Sequence, residues 1–302
     1  METVTNSSQI QEHTLHIGMA QLLVEGGEPS RNFERAYTLL QKAHQERCDL
    51  VLFPECMDLA WTHPSALKEA QAIPGPYSDL LCQYAQEFKI IICAGLTEKD
   101  TSHIYNSAVL IDSTGKLLLK HRKINLLTPA EDMYSIGTHL SCIDMPFGRV
   151  GINICSDNYM DSIEIGHTLA RMGAQLILSP CSWTVDYFFQ ENTNPYGAKW
   201  FKPYFTLASL HHLVIIGTTS VGVIVGGPYE GKKMVGCSLA VGPQGLLCQG
   251  KYNEFSGELI TTQISIPNHN RRGTAIGEHL RHHGYYQNHY LLKLDQKLLE
   301  RS

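Results

Sequence analysis

Short apolar runs alternate with longer amphipathic stretches through the first two thirds of this 302-residue chain, and no other feature restricts its fold as tightly. Such alternation predicts an α/β layered fold, because each apolar run needs neighbours in a sheet and each amphipathic stretch needs a sheet face to cover. Leu15 to Ala20 reads as a strand, followed by a helix N-capped by Ser30 with Phe33, Ala36, Tyr37 and Leu40 on its apolar face. Leu50-Val51-Leu52-Phe53 reads as a buried strand stopped by Pro54, and the turn Pro74-Gly75-Pro76 opens a helix through Phe88. Ile90 to Gly95 is the next strand, and Ile104 to Arg122 holds two more about the turn Asp112-Ser113-Thr114-Gly115. The alternation continues with a strand ending near Cys155, a helix through Met172, the strand Gln175 to Leu178, a helix near Phe205 to His212 and the strand Leu213 to Ile216. Further strands fall between Met234 and Ile266, one pair turning at Pro243-Gln244-Gly245. No internal repeat or low-complexity linker is readable. The chain therefore reads as one domain over residues 14–267, with an N-terminal extension (1–13) and a C-terminal tail (268–302) suited to a subunit interface or the surface.

Composition narrows the classes of function. The net charge of −5 comes from 24 basic and 29 acidic residues without long like-charge runs, so neither a nucleic-acid footprint nor a polybasic membrane anchor is visible. Nine cysteines without framework spacing argue against a secreted disulfide scaffold and for a reducing compartment. The polar start Met1 to Ser8 lacks the order of a signal peptide, and no run of about 18 apolar residues follows. The sequence reads as a soluble cytoplasmic protein with a small-molecule partner.

One cysteine stands apart by position. Cys155 closes the strand-like run Arg149 to Ile154 just before an amphipathic segment, the place of a nucleophile at a strand-to-helix turn. The first N–H groups after it have no acceptor within the turn and suit a developing oxyanion. A thiol needs help to become a thiolate, so a cation and a proton acceptor are required nearby. Glu55 directly follows the strand ending in Phe53 and Pro54, and Lys123 ends the basic triplet His121-Arg122-Lys123 after a hairpin strand. Either alone reads as a solvated strand end. Together with Cys155 they place three ionisable groups at the ends of three different strands, where open α/β sheets build their sites.

These segments resemble the nitrilase superfamily of carbon–nitrogen hydrolases, whose members carry a Glu-Lys-Cys triad. The matching stretches are Leu52-Phe53-Pro54-Glu55, His121-Arg122-Lys123-Ile124-Asn125 and Gly151-Ile152-Asn153-Ile154-Cys155-Ser156-Asp157. Ile73 to Pro76, Ala94 to Lys99, Tyr105 to Asp112 and Leu178-Ser179-Pro180-Cys181-Ser182-Trp183 fall in the family's usual order. The resemblance implies a four-layer αββα sandwich that pairs into homodimers or higher homo-oligomers, and a hydrolase of amidase type acting through a Cys acyl-thioester. A nitrilase proper, an acyltransferase using the same thioester, and a silent scaffold paralogue are the alternatives. The implied roles are Cys155 as nucleophile, Glu55 as general base and acid, and Lys123 with the backbone N–H of Ser156 as oxyanion donors. No metal or organic cofactor is implied, and the substrate would be a small amide, ureido compound or nitrile.

Relatives often add a second glutamate after the lysine. Glu131 fills that place, with Asp132 as the competing carboxylate. Two departures stand out: Ser156 replaces the aromatic residue that often follows the nucleophile, and Asn125 replaces a histidine common two places after the lysine. Asp157, Tyr159 and Trp183 are candidates for the substrate pocket. The aromatic stretch Thr184 to Tyr204 reads as a loop that either lines that pocket or packs beneath it. His279, His282 and His283 cluster beside Arg281, but no cysteine or acidic residue stands at zinc spacing, so no metal site is read there. Gly222, Gly226 and Gly227 lack the lysine and strand–helix context of a phosphate loop.

Overall fold

In the computed structural model, which describes residues 13–190, 195–253 and 255–267, the apolar runs pair into two six-stranded sheets. The first half of the chain forms β1 (His13–Gln21), α1 (Pro29–Gln45), β2 (Leu50–Leu52), α2 (Ala66–Glu69), α3 (Pro76–Phe88), β3 (Ile91–Asp100), β4 (His103–Ile111) and β5 (Leu117–Arg122). The second half begins with β6 (Cys142–Met145), β7 (Gly148–Ile152), a single 3-10 turn (Cys155–Asn158), α4 (Ile163–Arg171), β8 (Leu176–Cys181) and β9 (Thr184–Val185). It continues with α5 (Tyr196–His211), β10 (Val214–Thr219), β11 (Val221–Val223), β12 (Lys233–Val235), β13 (Leu239–Gly242), β14 (Gly245–Gln249) and β15 (Glu258–Ile266).

The two sheets share a plan. In the first, ordered β15-β1-β2-β3-β4-β5, the strands β1, β2 and β3 are parallel, and β4, β5 and β15 join antiparallel. In the second, ordered β14-β13-β10-β8-β7-β6, the strands β7, β8 and β10 are parallel, and β6, β13 and β14 join antiparallel. Helices α1 and α3 connect the first parallel trio as α4 and α5 connect the second. No repeat is readable in the sequence because this plan demands matching periodicities and lengths, not matching residues.

Period-two alternation decides which face each strand residue serves. On β2, Leu50 and Leu52 enter a core shared with the second sheet, while Val51 faces the opposite way toward the helices. That outer face is covered by Phe33, Ala36 and Leu40 of α1 and by Leu81 and Ala85 of α3. Between the sheets, Ile17, Met19 and Leu52 meet Ile152, Leu178 and Ile216. Leu169 of α4 and Leu207 of α5 close the far side. The order of layers is thus helix, sheet, sheet, helix. Burying one leucine such as Leu52, which is 1% exposed, is worth roughly 1.5–3 kcal/mol.

Two boundaries differ from the sequence reading. Helix α1 starts at Pro29, with Glu28 rather than Ser30 at the N-cap, since proline has no N–H to lose in a first turn and its fixed φ suits it. Helix α5 starts at Tyr196 and carries Pro203 in its interior, so the second half of the supposed aromatic loop is helical. Burial of Trp200, Tyr204 and Leu207 along one face outweighs the proline penalty. Apart from His13, the proposed N-terminal extension, the C-terminal tail and its histidine cluster lie outside the described residues.

Candidate active site

The first sheet carries two of the three residues expected to form the triad, each just beyond a strand end. Beyond β2, the chain at Glu55 is pressed against β3: the Gly95 N–H donates to the Pro54 carbonyl at 3.0 Å, and the Met57 N–H donates to the Gly95 carbonyl at 2.9 Å. A Cβ on Gly95 would lie 2.4 Å from the Glu55 Cα, so only glycine permits this approach. On β5, residues alternate between the rim and the interior. Lys120 and Arg122 are partly exposed, whereas His121 and the following Lys123 are buried.

Lys123 is fully buried between two carboxylates. Its ammonium donates to Glu55 Oε1 and to Glu131 Oε1, each at 2.7 Å. Asn106, from β4, donates to the same Glu55 oxygen at 2.6 Å and to Glu131 Oε1 at 3.1 Å. Trp61 Nε1 donates to Glu131 Oε1 at 2.7 Å, and the Leu127 N–H donates to Glu131 Oε2 at 2.7 Å. Glu131 therefore has both oxygens engaged, while Asp132 beside it is exposed. Glu55 differs: its Oε2 is buried and has no hydrogen-bond partner among the described residues.

The charges follow from this placement. Burial works against the Lys123 ammonium, but Glu131 and Glu55 outweigh it and hold the amine protonated well above its usual range. Burial raises the Glu55 carboxyl, and Glu131 adds to the rise while Lys123 opposes it. Two carboxylates thus share one buried ammonium, which leaves each with less than a full counter-charge. Burial, the hydrogen-bonded thiol of Cys181 and the Glu55 charge push the Cys155 thiol well above its ordinary range, with Lys123 pulling the other way. Burial thus favours the neutral form of the Cys155 thiol, and among the described residues Glu55 keeps one oxygen without a partner.

Cys155 opens the 3-10 turn and is 3% exposed. Its φ of 44° lies in the left-handed region, a conformation that costs a non-glycine residue about 1–2 kcal/mol and is held here by the surroundings. Asp157, named as a pocket candidate, supplies much of that hold. It is fully buried, and its Oδ1 accepts from the Ile124 and Asn125 N–H groups at 3.1 and 2.8 Å. Its Oδ2 accepts from the Ile154 N–H at 2.9 Å and meets His121 Nε2 at 2.9 Å. With every contact inward, Asp157 ties the lysine loop to the nucleophile turn rather than walling a pocket. The two departures, Ser156 and Asn125, prove to be partners: Ser156 Oγ donates to the Asn125 carbonyl at 2.6 Å, and Asn125 Nδ2 donates to the Ser156 carbonyl at 2.8 Å.

Tyr159 and Trp183 meet through a third ring. Trp200 of α5 stacks on Trp183 at 4.9 Å and 10°, and on Tyr159 at 5.0 Å and 22°. Trp183 is fully buried and Tyr159 half-buried. The Tyr159 and Tyr196 hydroxyls are both raised, first of all by burial. Tyr187 and Phe188, from the same aromatic stretch, point into solvent. A narrow cavity of about 20 Å³ reaches Glu55 between Trp61, Ser220 and Met234, room for roughly one water. Sequence reasoning missed Asn106 and Trp61 as site residues and placed Trp200 only within the aromatic stretch, as lining the pocket or packing beneath it. Asn106 carried a signal, as a polar residue just before the mostly apolar run Ser107 to Ile111.

Residues 17–269 match the carbon–nitrogen hydrolase family, and the chain belongs to it. Among curated relatives it is 32% identical to omega-amidase NIT2-B of Xenopus laevis over 174 residues, covering 54% of this chain and 62% of that protein. It is also 32% identical to a nitrilase of Pyrococcus abyssi over 165 residues, covering 53% and 62%. The matches thus span less than two thirds of these relatives' length. Among solved structures, a carbon–nitrogen hydrolase from Helicobacter pylori superposes with a TM-score of 0.74 at 21% identity, covering 84% of this chain and 90% of that one. An amidase variant from Nesterenkonia sp. AN1, with the acetamide moiety of fluoroacetamide on its active-site cysteine, gives 0.70 at 18% identity, covering 83% and 90%. Among the described residues no helix is long and apolar enough to cross a membrane.

Proposed function

We propose that the protein is an amidase that hydrolyses a small carboxamide through an acyl-thioester on Cys155. The observation that carries this reading is the asymmetry of Glu55, with one oxygen pinned 2.7 Å from Lys123 and the other buried without a partner. As Sγ of Cys155 attacks the amide carbon, that free oxygen takes the thiol proton. Lys123 and the N–H of Ser156 steady the oxyanion. Collapse expels ammonia, with the proton returned from Glu55. Water then loses its proton to Glu55 and attacks the thioester, releasing the acid and restoring the thiol. The water-sized cavity beside Glu55 supports hydrolysis as the second half-reaction. Similarity to omega-amidases, and to an amidase whose cysteine carries an acetamide adduct, supports the amide as the first.

The test is ammonia release from matched amide and nitrile pairs, with hydroxylamine as an added acceptor. Amides should turn over faster than their nitriles, and the free acid should remain the main product. Cys155→Ala should drop to background while keeping the wild-type circular dichroism spectrum. Near-normal turnover in that variant would sink the mechanism. Faster nitrile turnover, or hydroxamate as the main product, would replace it with one of the alternative reactions.

A further inference from the structure

A second thiol stands beside the nucleophile. Strands β7 and β8 run parallel with Ile152 opposite Leu178, and three residues further along each stand Cys155 and Cys181. Pairing runs one residue past β7, where the Asn153 N–H donates to the Leu178 carbonyl at 3.3 Å, and Cys155 opens the 3-10 turn that follows, packed against β8. Both cysteines are free and buried in the same core cluster, and Cys181 is one of the groups that raise the Cys155 thiol. The Cys181 thiol is also held 3.2 Å from the Ser179 carbonyl and 3.6 Å from the Tyr204 hydroxyl. Its backbone is fixed to the active site, because its carbonyl accepts from the Glu55 N–H at 3.3 Å. Cys155 therefore has a second free thiol in its surroundings that the proposed hydrolytic cycle does not use.

We propose that Cys155 and Cys181 form a reversible disulfide when a hydroperoxide enters the active site, a redox-modification site that spares the nucleophile from over-oxidation. With its proton on Glu55, the Cys155 thiolate attacks a peroxide oxygen and the O–O bond breaks. The Cys155 sulfenic acid forms, and water or an alcohol leaves with the Glu55 proton. The Cys181 thiol then attacks the sulfenic sulfur. An S–S bond forms, the S–O bond breaks, and the hydroxyl leaves as water with the Cys181 proton. Two thiols supply the two electrons that reduce the peroxide, and an external dithiol restores them. The step shares Glu55 with the hydrolytic reading, so its test reads mass and labelling rather than turnover.

The whole chain is treated with hydrogen peroxide, then analysed by intact mass and by digestion without reductant. Wild-type protein should lose about 2 Da, yield a peptide pair joining Cys155 to Cys181, and regain iodoacetamide labelling of Cys155 after dithiothreitol. At the same dose, Cys181→Ala and Cys181→Ser should instead gain about 32 Da on Cys155 as sulfinic acid, with no recovery. Wild-type protein that accumulates sulfinic acid as fast as the variants, or that joins Cys155 to a different cysteine, overturns the proposal. If neither variant folds, the wild-type cross-link map decides alone.

Discussion

Two carboxylates, Glu55 and Glu98, are each buried, each 1% exposed and each paired with a lysine from the β5 region, yet they are built for opposite ends. At the rim, Glu98 has both oxygens filled. Lys120 reaches Oε1 at 2.5 Å, Arg122 reaches Oε1 and Oε2 at 2.6 and 2.8 Å, and Ser107 donates to Oε2 at 2.6 Å. Burial raises the Glu98 carboxyl, but these donors outweigh it and hold it below its ordinary range. Inside, Glu55 shares its one cation with Glu131 and keeps an oxygen unpartnered, so burial wins and the carboxyl rises. An acid beside a lysine becomes structural when every lone pair is filled, and becomes a base when one is left open in a dry place.

Glu55→Gln breaks this contrast most directly. It removes the base but keeps the shape, so turnover should fall by at least about 10³-fold. Its stability should be unchanged or higher. The folded carboxyl lies above its unfolded value, so ionised Glu55 subtracts stability at neutral pH, and the amide removes that penalty. A melting temperature that falls as turnover does would show Glu55 to be a structural partner like Glu98. The same rise sets the acid limb of the wild-type rate. Activity needs the Glu55 carboxylate, so kcat/KM should decline with falling pH from above 4.5, the ordinary value for glutamate. A limb at or below that value, measured with a substrate that does not titrate there, breaks the argument.

How far the sequence revealed this contrast depends on the range of the interactions. The strand ends carrying Glu55, Lys123 and Cys155 were legible because apolar runs and the residues stopping them are local signals. The alternation that sends Lys120 and Arg122 to the rim, and His121 and Lys123 inward, was present in the triplet. It acquires meaning only once β5 is known to be an edge strand with Asp157 on one face and Glu98 on the other. Asn106 and Trp61 meet Glu131 across 25 and 70 residues of chain, and no local pattern reports such a meeting. Trp200 was obscured differently. Pro203 and Gly197 weaken the helical signal of α5, and tertiary burial restores the helix. Ser156 and Asn125 looked like two unrelated losses, although each holds the other's backbone.

The rim side of the comparison yields the smaller effects, and they concern stability. Glu98→Gln should lower stability by about 1–3 kcal/mol, since charge-assisted bonds from Arg122 and Lys120 are lost. The sign with pH is fixed by the depressed carboxyl. Its contribution is full above the unfolded value near 4.5 and drains away as pH falls through the lower folded value. The wild-type advantage over Glu98→Gln in thermal melts should therefore shrink in acid, and an advantage that grows there would reverse the assignment. Asp100→Asn should do least. Asp100 takes one bond from Arg122 at 2.7 Å, and its side chain is 49% exposed, so solvent screens the pair. A loss of only a few tenths of a kcal/mol is expected. If chemical denaturation instead shows a loss as large as that of Glu98→Gln, then filled lone pairs are not what makes Glu98 structural, and the rim acts as one charge network.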